Sequence, residues 1–198
     1  MIINDKICWK SHLKLIGTKI CRSISIIAKA RHYVNSKSLH ALYCALVSPY
    51  INYCIEVWGN TYKSHLESLF ILQKRAIRII ANSGYLEHTN QLFIKSHTIK
   101  LYDLIELRTV QLMYKARNRL LPEQLQKRFQ NRDGGYHLRE PLNFKLGNCR
   151  TTTKQHCMTY YGVRLWNNLS MEMKQCPTIK QLSNKYKLVI WSRYRQLL

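Results

Sequence analysis

Two-metal transfer of a phosphoryl or nucleotidyl group needs carboxylates gathered around ions about 4 Å apart. Carboxylates are sparse in this sequence: three Asp, at positions 5, 103 and 133, among ten acidic residues in all. No two are adjacent, and the closest are Asp103 and Glu106, three apart on an expected helix, where a solvated or ion-paired surface pair is the ordinary role. His40 with Cys44, and Cys149 with His156 and Cys157, raise zinc, but neither set offers four ligands at a recognised spacing. His40 and Cys44 fall in an apolar helical pattern, where packing accounts for them. Ser-His-Asp catalysis lacks a Gly-x-Ser-x-Gly turn, a phosphate loop lacks its glycines, and the seven thiols carry no local signature of a Cys-His nucleophile. These residues assign no catalytic group, metal ligand or cofactor.

Cations interleaved with rings are more informative. Lys29-Ala-Arg31-His32-Tyr33, Lys74-Arg75-Ala-Ile-Arg78, Tyr136-His-Leu-Arg139 and Trp191-Ser-Arg-Tyr194-Arg195 each put positive charge beside apolar or aromatic surface. The 198 residues carry 32 Lys and Arg, a net charge of +22, and both halves share it, with +9 over 1–99 and +13 over 100–198. A body so charged repels itself unless a polyanion is near, so nucleic acid is the expected partner and an anionic membrane the second choice. Neutralised phosphates release counterions, giving sequence-independent binding in the range of roughly 10⁻⁴ to 10⁻⁶ M at physiological salt.

The elements that must hold these cations are helices. Leu13, Ile16, Ile20, Ile24 and Ile27 fall at steps of three and four, predicting a helix over 11–33 with Lys14, Lys19, Arg22, Lys29 and Arg31 mostly off the apolar stripe. Residues 38–62 hold no Lys or Arg and read as the buried helix at the core's centre, bent or ended near Pro49. Ser64-His-Leu-Glu67 has the form of a capping box opening a helix that runs toward Gly84 with Leu66, Leu69, Gln73, Ala76 and Ile80 on one side. Helices are also expected over 89–96 and 99–120, with a turn from Pro122 and a final helix after Pro177-Thr178. Periodicity vanishes over 131–153, which reads as a long basic loop, while 153–169 is ambiguous between helix and strand.

With 46% hydrophobic residues and only 7 Gly and 4 Pro, the composition is that of ordinary globular domains. The cysteines are odd in number and without a Cys-x-x-Cys, so they read as reduced packing thiols of an intracellular protein, nuclear or cytoplasmic and not secreted. The opening Met1-Ile-Ile-Asn-Asp-Lys6 lacks a basic flank before an apolar run, so no leader is expected, and no run reaches the roughly 18 apolar residues of a membrane span.

The order of the clusters is itself a signal. Ile2-Ile-Asn-Asp5-Lys-Ile-Cys-Trp9-Lys-Ser-His12-Leu, Arg31-His32-Tyr33-Val34, Leu42-Tyr43, Ser48-Pro49-Tyr50-Ile51-Asn52-Tyr53-Cys54, Val57-Trp58-Gly59, Leu72-Gln73-Lys74-Arg75-Ala76-Ile77-Arg78-Ile79-Ile80 and Leu165-Trp166-Asn167-Asn168-Leu169 follow one another along nearly the whole chain. This series resembles the C-terminal part of LINE-type, jockey-like non-LTR retrotransposon reverse transcriptases. The resemblance implies a mainly α fold: a short palm-strand remnant over 1–10, a thumb-like helical bundle over 11–130, and a C-terminal extension over 131–198 with an irregular basic segment and a final helix. The family's Ala-Asp-Asp box would lie upstream, so the expectation is a fragment of an RNA-directed DNA polymerase without its catalytic palm. It would bind the backbone of a template-primer, RNA, DNA or hybrid, and would not polymerise alone. Its further partners would be the missing palm and fingers, with no membrane and no cofactor. By position, Lys19, Arg22, Lys29 and Arg31 form one expected contact face and Lys74, Arg75 and Arg78 another, with Arg139, Arg150 and Lys154 as further contacts around the irregular segment. The alternatives are a non-enzymatic remnant used as a protein-interaction module, or an unrelated basic helical RNA-binding protein. A strand over 2–7 without its sheet would leave an unpaired edge, and with it poor solubility.

Overall fold

The computed structural model describes residues 2, 8–132 and 142–196. Among them the chain is mainly helical, with one isolated antiparallel bridge between Asn131 and Phe144. The strand expected over 2–7 lies, apart from Ile2, outside the described residues, as do Asp133 and Arg139.

Contacts gather the chain into two compact units. The first comprises Met1–Asp103 with Trp191–Leu198, and the second Leu104–Ile190. Helix α1 (Lys10–Ala30) turns Leu13, Ile16, Ile20, Ile24 and Ile27 inward, as its periodicity predicts, and packs along α5 (Lys63–Ile80). Full burial of each such side chain stabilises the fold by about 1.5–3 kcal/mol. Between them lie α2 (Ser36–Leu46), α3 (Ser48–Asn52) and α4 (Ile55–Trp58). The stretch without Lys or Arg is therefore three helices: it breaks near Pro49, as expected, and again at Cys54, which was not expected. Pro49, which has no amide to offer, sits in the first turn of α3, and Cys54 takes a left-handed conformation at φ 51° before α4. Leu39, Tyr43, Val47, Ile51 and Ile55 stay buried at spacings of four across both breaks, while Tyr50, Tyr53 and Val57 are exposed.

The capping box is not formed. Helix α5 begins at Lys63, so Ser64 already stands inside the first turn and Tyr62 caps without a side-chain bond. Glu67 is drawn elsewhere, accepting from the Tyr102 hydroxyl at 2.9 Å. Gln73, on the apolar stripe, is buried and fully used: its amide donates to the Tyr43 hydroxyl at 3.1 Å and the Ile99 carbonyl at 3.0 Å, and its oxygen accepts from the Leu101 amide at 2.8 Å. Burial pushes the Tyr43 hydroxyl up to about 12, which keeps it a neutral partner for that amide.

Helix α6 (Asn90–Lys95) follows, and α7 (Leu101–Arg117) carries the chain from the first unit into the second. In the second unit α8 (Glu123–Gln126) is a single turn. The ends of the irregular segment are pinned together, the Arg132 amide donating to the Asn143 carbonyl at 3.1 Å and the Lys145 amide to the Gln130 carbonyl at 2.8 Å. The ambiguous stretch resolves as α9 (Thr152–Gln155) and α10 (Met158–Asn167), followed by α11 (Met171–Lys174) and α12 (Ile179–Gln196). Asn167 binds both backbone groups of Phe144 at 3.0 Å, Trp166 donates to the Leu142 carbonyl at 3.0 Å, and buried Lys174 donates to Asn143 at 2.9 Å and the Asn167 carbonyl at 2.8 Å. Trp166 and Asn167, with Lys174, are thus a clamp that satisfies backbone groups of the extended segment around Asn143 and Phe144.

Most thiols do not pack, contrary to expectation. Cys176 is buried, Cys8, Cys54 and Cys149 are half-buried, and Cys21, Cys44 and Cys157 are exposed; none of the seven is in a disulfide.

Candidate nucleic-acid interface

Helix α1 sorts its residues by angle. At about 100° per residue, its buried side chains centre opposite Lys29 and Arg22, with Lys14 on one flank and Lys19 on the other. All four cations are exposed. Lys19 leans to the seam with α3, its ammonium 5.5 Å from the centre of the Tyr50 ring. Arg31, expected on the same face, is exposed just past the helix end. Lys14, expected off the apolar stripe but not as a contact, belongs with this face by the same arithmetic.

The three cations of α5 are not equivalent. Arg75 is exposed on the outer side. Lys74 is half-buried, 3.8 Å from the Glu67 carboxylate and 4.4 Å above the Phe70 ring. Arg78 donates its Nε–H to the Glu87 carbonyl at 3.0 Å and so holds the loop after α5. The Tyr102 hydroxyl beside this cluster is pushed up to about 12, first by burial and then by Glu67, so it donates to that carboxylate.

Helices α1 and α5 run in the same direction. Gly17 of α1 lies against Leu69 and Leu72 of α5, and beyond α1 the Ser36 hydroxyl donates to the Ile80 carbonyl at 3.0 Å. Both C-termini therefore reach one end of the first unit, where Lys29 and Arg78 also complement the negative ends of the helix dipoles. The loop over 31–35 ends, and the loop over 81–89 begins, beside that Ser36–Ile80 bond.

The second unit holds Arg150 and Lys154. Arg150 is exposed. Lys154 turns back, its ammonium on the Asn148 carbonyl at 2.7 Å, while Thr151 caps its amide. Arg139 lies outside the described residues, and with it the Tyr136–Arg139 cluster.

The Trp191–Arg195 cluster is an anchor within the first unit. Tyr194 is buried; its hydroxyl donates to the Asp103 carboxylate at 2.6 Å and accepts from the Lys100 amide at 2.9 Å. Trp191 packs edge-on against Tyr194 and His97, and Arg193 stands 3.9 Å from Asp103. The Lys100 ammonium sits 4.2 Å over the Tyr194 ring and donates to Asn90, and burial lowers its pKa. Asp103 and Glu106, expected as a solvated or ion-paired surface pair, are both half-buried and bind separate tyrosines, Asp103 with Arg193 also beside it and Glu106 accepting from Tyr186 at 2.9 Å.

Among the described residues no group of three or more His, Cys, Asp and Glu converges as metal ligands. His40 reaches Thr98 Oγ1 at 3.1 Å and lies 3.9 Å from the Cys44 sulfur. No described helix is long and apolar enough to cross a membrane. Comparison with family models, with curated proteins and with solved structures returned no match.

Proposed function

We propose that this chain is the thumb-like, nucleic-acid-binding portion of a LINE-type RNA-directed DNA polymerase, gripping the backbone of a template-primer and not polymerising by itself. The observation that carries the reading is the arrangement on α1 and α5, where one apolar stripe and Gln73 go inward and Arg22, Lys29 and Arg75 stay in water beside the exposed Leu15, Ile26 and Ile71. A rigid helix with cations on its outer face meets phosphates at its own spacing and ignores base identity. The ordered residue series supports the family, and the Leu72–Ile80 part of it has a physical logic. Gln73, Ala76 and Ile77 make the core contact, which fixes Arg75 outward. The partners in this reading are RNA, DNA or their hybrid, together with the palm and fingers of the parent polymerase, in the nucleus or cytoplasm.

The test is binding of a labelled RNA–DNA hybrid against salt, beside primer extension with Mg²⁺. The reading expects micromolar-class affinity that falls steeply with salt and no extension. Extension by the purified chain overturns the non-polymerising claim. Binding insensitive to the combined Lys74→Ala, Arg75→Ala and Arg78→Ala change and to the equivalent change on α1 turns the assignment toward a protein-interaction module.

A further inference from the structure

Two tyrosine rings stand almost fully in water at the end of the first unit where α1 and α5 both finish. Tyr33 is 88% and Tyr85 81% exposed, and neither ring has an aromatic or cationic partner among the described residues. They belong to different loops, brought together by the Ser36–Ile80 hydrogen bond. Tyr33 is three residues from that junction and Tyr85 five, so each ring's Cα lies within roughly 10 and 17 Å of it.

Both loops are held in place. The Tyr33 and Val34 amides donate to the Ala30 carbonyl at 2.9 and 3.1 Å, and Asn35 caps α2 through the Ser38 amide. On the other side, the Ser83 amide donates to the Arg78 carbonyl at 3.0 Å, Glu87 to Gly84 at 3.2 Å, and the Arg78 guanidinium to the Glu87 carbonyl. Lys29, Arg31 and Lys37 are exposed around them and Arg78 is half-buried, with His32 and His88 nearby and Glu87 as the opposing charge.

We infer that this end takes single-stranded RNA or DNA, with unpaired bases stacking on Tyr33 and Tyr85 while the exposed Lys29, Arg31 and Lys37 meet the flanking phosphates and Arg78 braces the Tyr85 loop. The inference rests on the backbone-binding reading above and adds to it the strand state of the ligand. Bases inside a duplex already have both faces covered, whereas an unpaired base offers a face to any ring, and such stacking tolerates every sequence. Rings set on braced turns lose little freedom when a base arrives, which is the condition for an exposed aromatic to contribute affinity.

The experiment uses the full chain with fluorescein-labelled oligo-dT, oligo-rU and a hybrid duplex of equal length, read by anisotropy, for Tyr33→Ala, Tyr85→Ala and the two Tyr→Phe variants. Each Ala change weakens binding of both single strands by about five-fold or more, the Phe changes leave it intact, and duplex affinity moves by less than about two-fold. Both sites are exposed, so unchanged thermal melts accompany these effects. If single strands and duplex bind with a salt dependence but the Ala variants match the parent, stacking is refuted while the backbone reading stands. If nothing binds, both fail. If the Ala variants lose affinity for anionic phospholipid vesicles and not for oligonucleotides, the surface belongs to a membrane and the inference is overturned.

Discussion

Replacing Lys14, Arg22 and Lys29 of α1 by Ala isolates the electrostatic part of the reading from the fold. The three are exposed on the side of the helix away from the buried stripe, so the change touches no core contact, and exposed substitutions of this kind hold stability to within about 0.5 kcal/mol. Each phosphate contact on a duplex contributes about 0.9 to the slope of log affinity against log salt, so three lost contacts flatten the slope by about 2.7. Between about 50 and about 200 mM salt, parent affinity then falls about forty-fold more than that of the variant. The matching change on α5 gives a smaller effect, because Lys74 is paired to Glu67 and Arg78 is tied to the Glu87 carbonyl, leaving Arg75 as the full contributor. Anisotropy titrations of a hybrid duplex across that salt range measure both slopes, and thermal melts confirm the folds. An unchanged slope for the α1 variant, with its melt also unchanged, refutes the argument that this face meets phosphates.

Gly17→Ala raises the melting temperature, since its new Cβ meets Leu69 and Leu72 at ordinary contact distances of 3.6 and 3.8 Å while a helix gains about 1 kcal/mol from the exchange. Gly162→Ala lowers it, because there the Cβ falls 2.8 Å from the sulfurs of Met113 and Met158, and Met113 is fully buried. Gln73→Ala costs about 2–5 kcal/mol in chemical denaturation, as it strips partners from the Leu101 amide and the Tyr43 hydroxyl in the core. His12, buried against the edges of Trp9 and Trp58, has its pKa lowered from 6.5 by burial and by positive neighbours including Lys19. The unfolded chain therefore binds the proton first: the stability is present above about pH 6.5 and drains as pH falls toward the folded value, and His12→Phe removes that slope from tryptophan-monitored melts. Under native conditions a thiol reagent labels Cys21, Cys44 and Cys157 ahead of Cys176, whose protection ends on unfolding; equal rates would contradict the packing of α11 and α12.

Helix positions were legible because they follow from a period that any core imposes. The stripes of α1 and α5 read directly, and so did the irregular course of residues 142–151 before α9. Other parts depended on partners distant in sequence. Ser64 and Glu67 have capping-box spacing, but Tyr102, 35 residues on, competes for the carboxylate, and the helix starts one residue earlier. Trp191 and Tyr194 beside two arginines look like a binding motif, yet a hydroxyl 2.6 Å from Asp103 makes Tyr194 a core residue. Lys174 gave no local hint of burial, because its partners Asn143 and Asn167 come from an irregular segment and a helix end that no periodicity connects.

These misreadings bear on function through the charge itself. A net charge of +22 invites the inference that the whole surface is an anion trap. Yet the fold uses many cations internally: Lys174 as the buried donor of the Trp-Asn clamp, Lys100 over Tyr194, Lys74 over Phe70, Lys154 on the Asn148 carbonyl and Arg78 on the Glu87 carbonyl. Long aliphatic stems let such residues cover apolar surface while the charged end finds a carbonyl or a ring, so in an acid-poor chain cations replace carboxylates as the polar staples of the fold. What remains for a polyanion is the subset that helical geometry points away from the core. Affinity must then follow the register of Lys14, Arg22, Lys29 and Arg75 on their two parallel helices, and not the total charge.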